Sequence, residues 1–243
     1  MYVFPMAGLS KRFQAEGYDV PKYMLTAGGK TIFQRSVEGF AEEIARVGAL
    51  FIFRDVLDTR AFIEKECAAM GLANYQMVEL TAPTRGQAET VEQGLRAAGC
   101  GLDQPLTIFN IDTIRSNYHF PDSDRIRQCD GYLEVFQGSG DNWSFVRLDS
   151  DESAKVIETS EKVPISDLCC TGLYYFRRVG DFLDAFDEAV ASYDGAREIY
   201  VAPLYNLLIR RGLDIRHHLI ASEDVVFSGI PSEYKQLVDS LGG

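Results

Sequence analysis

Apolar and polar positions fall into blocks of strand and helix length along the chain. Residues 2–7 form an apolar run of strand length, and residues 8–30 are a Gly-rich, charged loop pattern around Pro21. From Ile32 to Val47, apolar residues recur at helical spacing (Phe33, Val37, Phe40, Ile44, Val47) and predict one helix. Ala49–Phe53 reads as a strand, Val56–Met70 as a helix, Tyr75–Leu80 as a strand, Gln87–Ala98 as a helix after Gly86, and Leu106–Asn110 as a strand. This alternation over roughly the first 110 residues predicts a parallel sheet with crossover helices. The pattern then changes. Tyr132–Phe136, Ser144–Leu148, Lys155–Thr159 and Gly172–Phe176 read as strands of a meander or mixed-sheet insertion. Helices at Val179–Tyr193 and Ile199–Arg211, strands at Ile215–Ile220 and Val225–Phe227, and a last helix from Ser232 complete the reading. With no repeat, low-complexity tract or linker, residues 1–243 are expected to form one α/β domain with a Rossmann-like mixed, mostly parallel sheet flanked by helices.

Composition narrows the function classes. The chain is 46% hydrophobic and 25% charged, as ordinary globular proteins are, and its net charge of -12 offers no basic surface for a nucleic-acid polymer. An acidic protein that binds a nucleotide must recruit local Lys, Arg, backbone N–H groups or a divalent cation. The cysteines Cys67, Cys100, Cys129, Cys169 and Cys170 are odd in number and lack a C-x-x-C spacing, which points to a reducing cytoplasm. The apolar start Met1–Ala7 lacks the basic residues and length of a signal peptide, and no stretch is long enough to span a membrane.

Candidate chemistry gathers where predicted strands end. After the first strand comes Pro5-Met-Ala-Gly-Leu-Ser-Lys-Arg-Phe13, in which Gly8 permits close approach of a phosphate and Lys11 and Arg12 add cations. Pro21-Lys22 brings a further cation. Gly28-Gly29-Lys30-Thr31 resembles the end of a P-loop, but that motif needs glycine where Met24 stands, so it reads as a turn. Thr84-Arg85-Gly86-Gln87-Ala88 leads into a helix whose first N–H groups are free, and the Gln87 amide suits a base edge. Asn110-Ile111-Asp112 ends an apolar strand, where a carboxylate suits Mg2+ bound through phosphate oxygens and water. Read singly, each of these segments is also compatible with an ordinary turn or helix start.

Together the segments resemble the sugar-1-phosphate nucleotidyltransferase family, which includes glucose-1-phosphate thymidylyltransferases and related cytidylyltransferases. A-G-x-x-x-R-F, P-K, G-Q-A and N-x-D follow in the family's order, and Glu161-Lys162, Thr171-Gly172-Leu173-Tyr174-Tyr175-Phe176 and Gly229-Ile-Pro-Ser-Glu233 resemble its later E-K, T-G-x-Y-x-F and closing-turn motifs. The resemblance implies a Rossmann-like nucleotidyltransferase fold, Mg2+ dependence, an NTP (CTP or TTP) as donor, and a sugar-1-phosphate or other small phosphorylated metabolite as acceptor. It implies that Ala7, Gly8, Leu9, Ser10, Lys11, Gln87 and Asn110 bind the nucleotide, and that Arg12 and Lys22 neutralise charge at the α-phosphorus. It further implies that Asp112 binds the metal, that Lys162 holds the acceptor phosphate, and that Glu161, Thr171 and Gly172 line the acceptor pocket. Surface-polysaccharide synthesis is the pathway it suggests.

The chain departs from the family pattern at Leu9 and Ser10, where glycine is usual, and at Phe227, where a second metal-binding Asp often stands. Two alternatives remain. A related glycosyltransferase would use the Asp122-Ser-Asp124 string for its metal, and a non-catalytic sensor would bind nucleotide or sugar phosphate without turnover. Tyr200 and Asn206 read as pocket lining or as helix start and core. His217 and His218, adjacent in a strand, point to opposite faces and form no metal pair.

Overall fold

The computed structural model describes residues 1–116, 118–150, 153–195 and 198–242. In chain order the elements are β1 (Tyr2–Met6), α1 (Lys11–Ala15), β2 (Thr26–Ala27), β3 (Lys30–Thr31), α2 (Ile32–Glu38), α3 (Ala41–Val47), β4 (Ala49–Phe53), α4 (Thr59–Ala69), β5 (Tyr75–Glu79), α5 (Gln87–Ala97), β6 (Leu106–Phe109) and β7 (Thr113–Arg115). They continue with α6 (Asp124–Gln128), β8 (Gly131–Gln137), β9 (Ser144–Leu148), β10 (Val156–Glu161), β11 (Leu168–Phe176), α7 (Val179–Ala191), α8 (Tyr205–Arg210), β12 (Ile215–Leu219), β13 (Val225–Phe227) and α9 (Pro231–Ser240). The fold class is α/β with mixed sheet pairing flanked by helices, and no described helix is long and apolar enough to cross a membrane.

The chain packs as two compact units. One takes residues 2–83, 109–119 and those from Glu223 onward; the other takes Met1, 84–108 and 120–222. In the first unit β1, β4 and β5 pair in parallel in that order. Met6 is level with Phe53, and Phe53 with Glu79, so all three strands finish at one edge. All of β4 is buried, which is why Ala49–Phe53 reads as an unbroken apolar run. The carboxyl ends of parallel strands are where ligands bind in such sheets.

The predicted helix from Ile32 to Val47 is two helices. The capping box of Thr31 and Gln34 opens α2, and the break falls at Gly39-Phe40. Gly39 lies against the Arg115 carbonyl, too close for a Cβ, and its own carbonyl accepts from the Tyr118 N–H at 3.1 Å. α4 starts three residues later than expected, because Leu57 and Asp58 take left-handed backbone and the Asp55 side chain caps the Thr59 N–H at 2.8 Å. α8 is shorter than predicted, since Ala202–Leu204 around Pro203 forms a tighter 3-10 turn. The short α1 lay hidden in the loop reading; one buried residue, Phe13, anchors it.

Phe40 sits at the centre of an aromatic cluster. Its ring centroid lies 4.6 Å from both Phe109 and Tyr118, 5.4 Å from Tyr2 and 5.9 Å from Phe4. The cluster fixes Phe109, the residue that leads into Asn110-Ile111-Asp112.

In the second unit β12, β8, β11, β9 and β10 pair in that order; β12 runs parallel to β8 and the other pairs are antiparallel. This is the mixed arrangement expected beyond residue 130. The β11–β8 register slips between Cys170 and Tyr174, at Thr171-Gly172-Leu173. All five cysteines are free, and the four at Cys67, Cys129, Cys169 and Cys170 are buried.

Phe40→Ala should cost about 3–5 kcal/mol by removing a fully buried ring. Urea unfolding of the variant should show the midpoint fall; an unchanged midpoint would contradict a load on this cluster.

Candidate active site

In the first unit β1 delivers the loop Ala7–Ser10. Phe13 packs its ring 5.4 Å from Tyr18 and 6.1 Å from Tyr234 of α9, which holds α1 by its inner face. Lys11 and Arg12 are therefore left on the exposed side, and Gly8 and Leu9 are exposed in the loop before them. Neither Lys11 nor Arg12 forms an ion pair among the described residues. Ser10 joins this loop to the next segment: it takes left-handed backbone (φ 51), and its hydroxyl accepts from the Lys22 N–H at 3.2 Å. Such a conformation costs a non-glycine residue roughly 1–3 kcal/mol and is sustained by its surroundings.

Lys22 Nζ is ion-paired with Asp112 Oδ2, and both side chains are largely shielded, at 24% and 16% exposed. The turn that carries Asp112 is pinned from two sides. Buried Ser36 donates its hydroxyl to the Ile111 carbonyl at 2.9 Å, while Ser228 donates both its N–H (2.9 Å) and its hydroxyl (2.8 Å) to the Asp112 carbonyl. Gly229 passes so close to the carboxylate that a Cβ there would stand 2.9 Å from Asp112 Oδ2. Glu233, in the first turn of α9, accepts the Gly229 and Ile230 N–H groups at 2.9 and 3.2 Å. Burial pushes the Glu233 carboxyl up, and the charge of Asp112 adds to this while Lys22 opposes it. Asn110 is half-buried at the start of the same turn, and its carbonyl accepts from the Thr113 N–H at 3.3 Å. Lys22, Asp112 and Ser10 are thus brought together, and Arg12 stands on the helix that starts at Ser10.

In the second unit Gly86-Gln87-Ala88 starts α5 and is zipped to Ile199: Ala88 N–H donates to the Ile199 carbonyl at 3.0 Å, and Ile199 N–H to that of Arg85 at 2.8 Å. A side chain at Gly86, which has φ 144, would meet the Ile199 backbone at 2.6 Å. Gln87 is half-buried in the first turn. The zipper fixes Tyr200, the next residue. Lys162 Nζ donates to the Tyr200 hydroxyl at 2.6 Å and lies 4.7 Å from its ring centroid. That hydrogen bond is the main reason the Lys162 ammonium is held above its ordinary pKa. Tyr200 is in turn hydrogen-bonded to Glu198. Lys162 also takes left-handed backbone (φ 57), with its N–H on the Trp143 carbonyl at 2.9 Å.

Beside it, Glu161 accepts from the Ser144 hydroxyl, and burial pushes its carboxyl up. Tyr174 closes this group at 3.4 Å from the Ser144 hydroxyl. Thr171 is buried and donates to the Glu134 carboxylate at 3.1 Å, so its hydroxyl is engaged inside the sheet next to buried Gly172.

The sequence left Ser228 unassigned and did not single out Ser144 or Glu198. A closing G-x-P turn after a strand was the available signal for Ser228; the others lack a local pattern. Asp122 is ion-paired with Arg127, and Ser123 caps α6, so the D-x-D string is a helix start. Asn206 spends its amide on the Thr159 backbone at 2.8 Å in both directions. His217 keeps Nδ1 on the Ala154 carbonyl at 3.1 Å. Among the described residues, no three His, Cys, Asp or Glu side chains gather as a metal cage.

Comparison with known proteins gives a family. No family model and no curated protein matches the chain. A solved nucleoside-diphosphate-sugar pyrophosphorylase from Vibrio cholerae is 48% identical, with a TM-score of 0.93 over 98% of this chain and 100% of that one. The inositol-1-phosphate CTP transferase of T. maritima shares the fold at 12% identity (TM-score 0.73, 99% of this chain and 95% of that one). A UDP-glucose pyrophosphorylase solved with UDP-glucose shares it at 16% identity (TM-score 0.75, 98% and 97%). With nearly half its residues shared over the full length of the Vibrio protein, the chain belongs to the sugar-1-phosphate nucleotidyltransferase family of nucleoside-diphosphate-sugar pyrophosphorylases.

Proposed function

We propose that this protein is a Mg2+-dependent nucleotidyltransferase that joins the NMP unit of an NTP to a small phosphorylated acceptor and releases pyrophosphate. The observation that carries this reading is the shielded Lys22–Asp112 pair, tied through Ser10 to the Gly8 loop: a cation and a hard oxygen ligand share one place at the carboxyl edge of a parallel sheet. Lys11, Arg12 and the loop N–H groups hold the triphosphate. Lys22 stands against charge developing at the α-phosphorus.

Asp112 fits Mg2+. This cation is bound through one or two carboxylates, with phosphate oxygens and water completing its shell. Asp112 offers one carboxylate on a turn whose carbonyl is already fixed by Ser228, with Asn110 beside it. When bound, Mg2+ supplies neutralisation of the triphosphate charge and fixes the orientation of its oxygens. A ligand phosphate that draws Lys22 toward itself frees the Asp112 oxygen for this purpose.

Gln87 reads the base and Lys162 binds the acceptor phosphate, with Glu161 set for a hydroxyl or amine of the acceptor. Thr171 and Gly172 shape the pocket wall through Glu134. An oxygen of the acceptor phosphate attacks the α-phosphorus, the α–β anhydride bond breaks, and pyrophosphate carries away the electron pair. The attacking phosphate is already an anion at neutral pH, so alignment and charge neutralisation suffice and no protein nucleophile is required. A sugar-1-phosphate is the acceptor class, with surface-polysaccharide precursors as the product class and the cytoplasm as the compartment. The five free cysteines suit that compartment.

Lys22→Met and Asp112→Asn should each lower pyrophosphate release by about 10²–10³, or about 2.7–4 kcal/mol, by analogy with losing one transition-state donor. A coupled pyrophosphate assay over NTPs and phosphorylated acceptors measures this; no turnover and no nucleotide binding across the panel would refute the function. Tyr200→Phe should raise KM for the acceptor several-fold and leave KM for the NTP nearly unchanged, because it removes only the hydroxyl that orients Lys162. Equal changes in both constants would exclude that role.

A further inference from the structure

Ser144 and Glu161 oppose each other as the last cross-strand pair of β9 and β10. Opposed residues of antiparallel strands carry their side chains on one face of the sheet. The Ser144 hydroxyl donates to Glu161 Oε2, and one register step further the Lys162 N–H is held on the Trp143 carbonyl at 2.9 Å. The other neighbour of Ser144 is the Tyr174 hydroxyl of β11, 3.4 Å away. Burial pushes the Tyr174 phenol well up, so it stays a neutral hydroxyl and does not draw the Ser144 proton as a phenolate would. A serine hydroxyl has one proton to give, and here it goes to Glu161.

That bond bears on the form Glu161 takes. Burial pushes its carboxyl up, toward the neutral acid, and Glu198 adds to the rise. The Ser144 hydrogen bond is the largest opposing influence, followed by the Lys162 ammonium. Cys170 and Tyr174 of β11 also sit in the field of Glu161, and burial keeps both protonated. An ionised carboxylate only accepts hydrogen bonds, whereas the acid turns one oxygen into a donor. We propose that Ser144 is a positioning residue: it holds Glu161 in one orientation as an acceptor-only group, ready for a hydroxyl or amine of the phosphorylated acceptor. This rests on the nucleotidyl-transfer reading, which puts Glu161 at the acceptor, and adds the residue through which Glu161 is set. Acceptor binding is then present while Glu161 is ionised and fades as pH falls through its pKa. Because the Ser144 bond favours the ionised form, losing that hydroxyl moves the fading to higher pH.

The test is an NMR pH titration of protein labelled at the glutamate carboxyl carbons, with the Glu161 resonance assigned by its absence from Glu161→Gln. Ser144→Ala should titrate at higher pH than the wild type, and Ser144→Thr, which keeps the hydroxyl, should stay close to the wild type. The coupled pyrophosphate assay with glucose 1-phosphate, galactose 1-phosphate and glucosamine 1-phosphate gives a second readout. Ser144→Ala should raise KM for the acceptor about 10-fold, as loss of a hydrogen bond to a charged group does, and leave KM for the NTP unchanged. The acid limb of kcat/KM for the acceptor should move up in the same variant and return in Ser144→Thr. Equal Glu161 midpoints in the wild type and Ser144→Ala, an equal shift in Ser144→Ala and Ser144→Thr, or equal changes in both KM values would each overturn the proposal while leaving nucleotidyl transfer intact. If Ser144→Ala does not fold, Ser144→Cys replaces it, and its weaker thiol donor should also raise the midpoint. If none of the three sugar phosphates turns over, the titration decides alone. Failure of every NTP to bind would instead remove the nucleotidyl-transfer reading, and the acceptor role of Glu161 with it.

Discussion

The constraint on which the first unit turns is the placement of one carboxylate, Asp112, against one ammonium, Lys22. Each is drawn from a segment remote in sequence, and each is held by backbone rather than by long side-chain networks. Ser36 and Ser228 fix the turn of Asp112 through main-chain carbonyls, and Ser10 fixes Lys22 through its N–H. Positioning by backbone leaves the charged ends free to exchange partners. A shielded ion pair of this kind is weak support for stability, because desolvation offsets much of the attraction. In the proposed reaction the pair holds both charges ready, so that an incoming polyanion and its cation would replace one pairing by two.

The second unit repeats this economy with different chemistry. Lys162 is anchored at its N–H by Trp143 and at its ammonium by Tyr200, which is positioned by the zipper between Ile199 and the start of α5. Ser10 and Lys162, both expected site residues, are two of the four described non-glycine residues with positive φ. Such strain is sustained only when neighbours over-determine the backbone, and at both positions a hydrogen bond to a distant segment does so. With Phe227 where the family resemblance led to the expectation of a second acidic residue, the Asp112 turn has Ser228 and Gly229 as its closing partners. Gly229 preserves room for the carboxylate, and Glu233 spends its oxygen on two backbone N–H groups.

The fold was largely legible because it rests on periodicity. Fully buried parallel strands must be apolar throughout, and Ala49–Phe53 and Leu106–Phe109 announce themselves that way. The errors fall where tertiary contacts override local preference. Gly39 breaks a helix-compatible pattern because β7 passes against it, and α1 exists because a single ring, Phe13, finds Tyr18 and Tyr234.

The chain by itself determined the strand–helix alternation, the change to mixed pairing in its later part, and the cations and carboxylates that belong to a nucleotidyltransferase pattern. Those signals are local, since each depends on residues adjacent in sequence or spaced by one period of a helix or strand. Only the tertiary structure decided that Lys22 meets Asp112, that Tyr200 rather than Asn206 reaches Lys162, and that Thr171 turns inward to Glu134. These depend on which loops share a sheet edge and on which side chains lose water when they do. Pairing, strand register and burial are properties of segments many residues apart, and no local pattern encodes them.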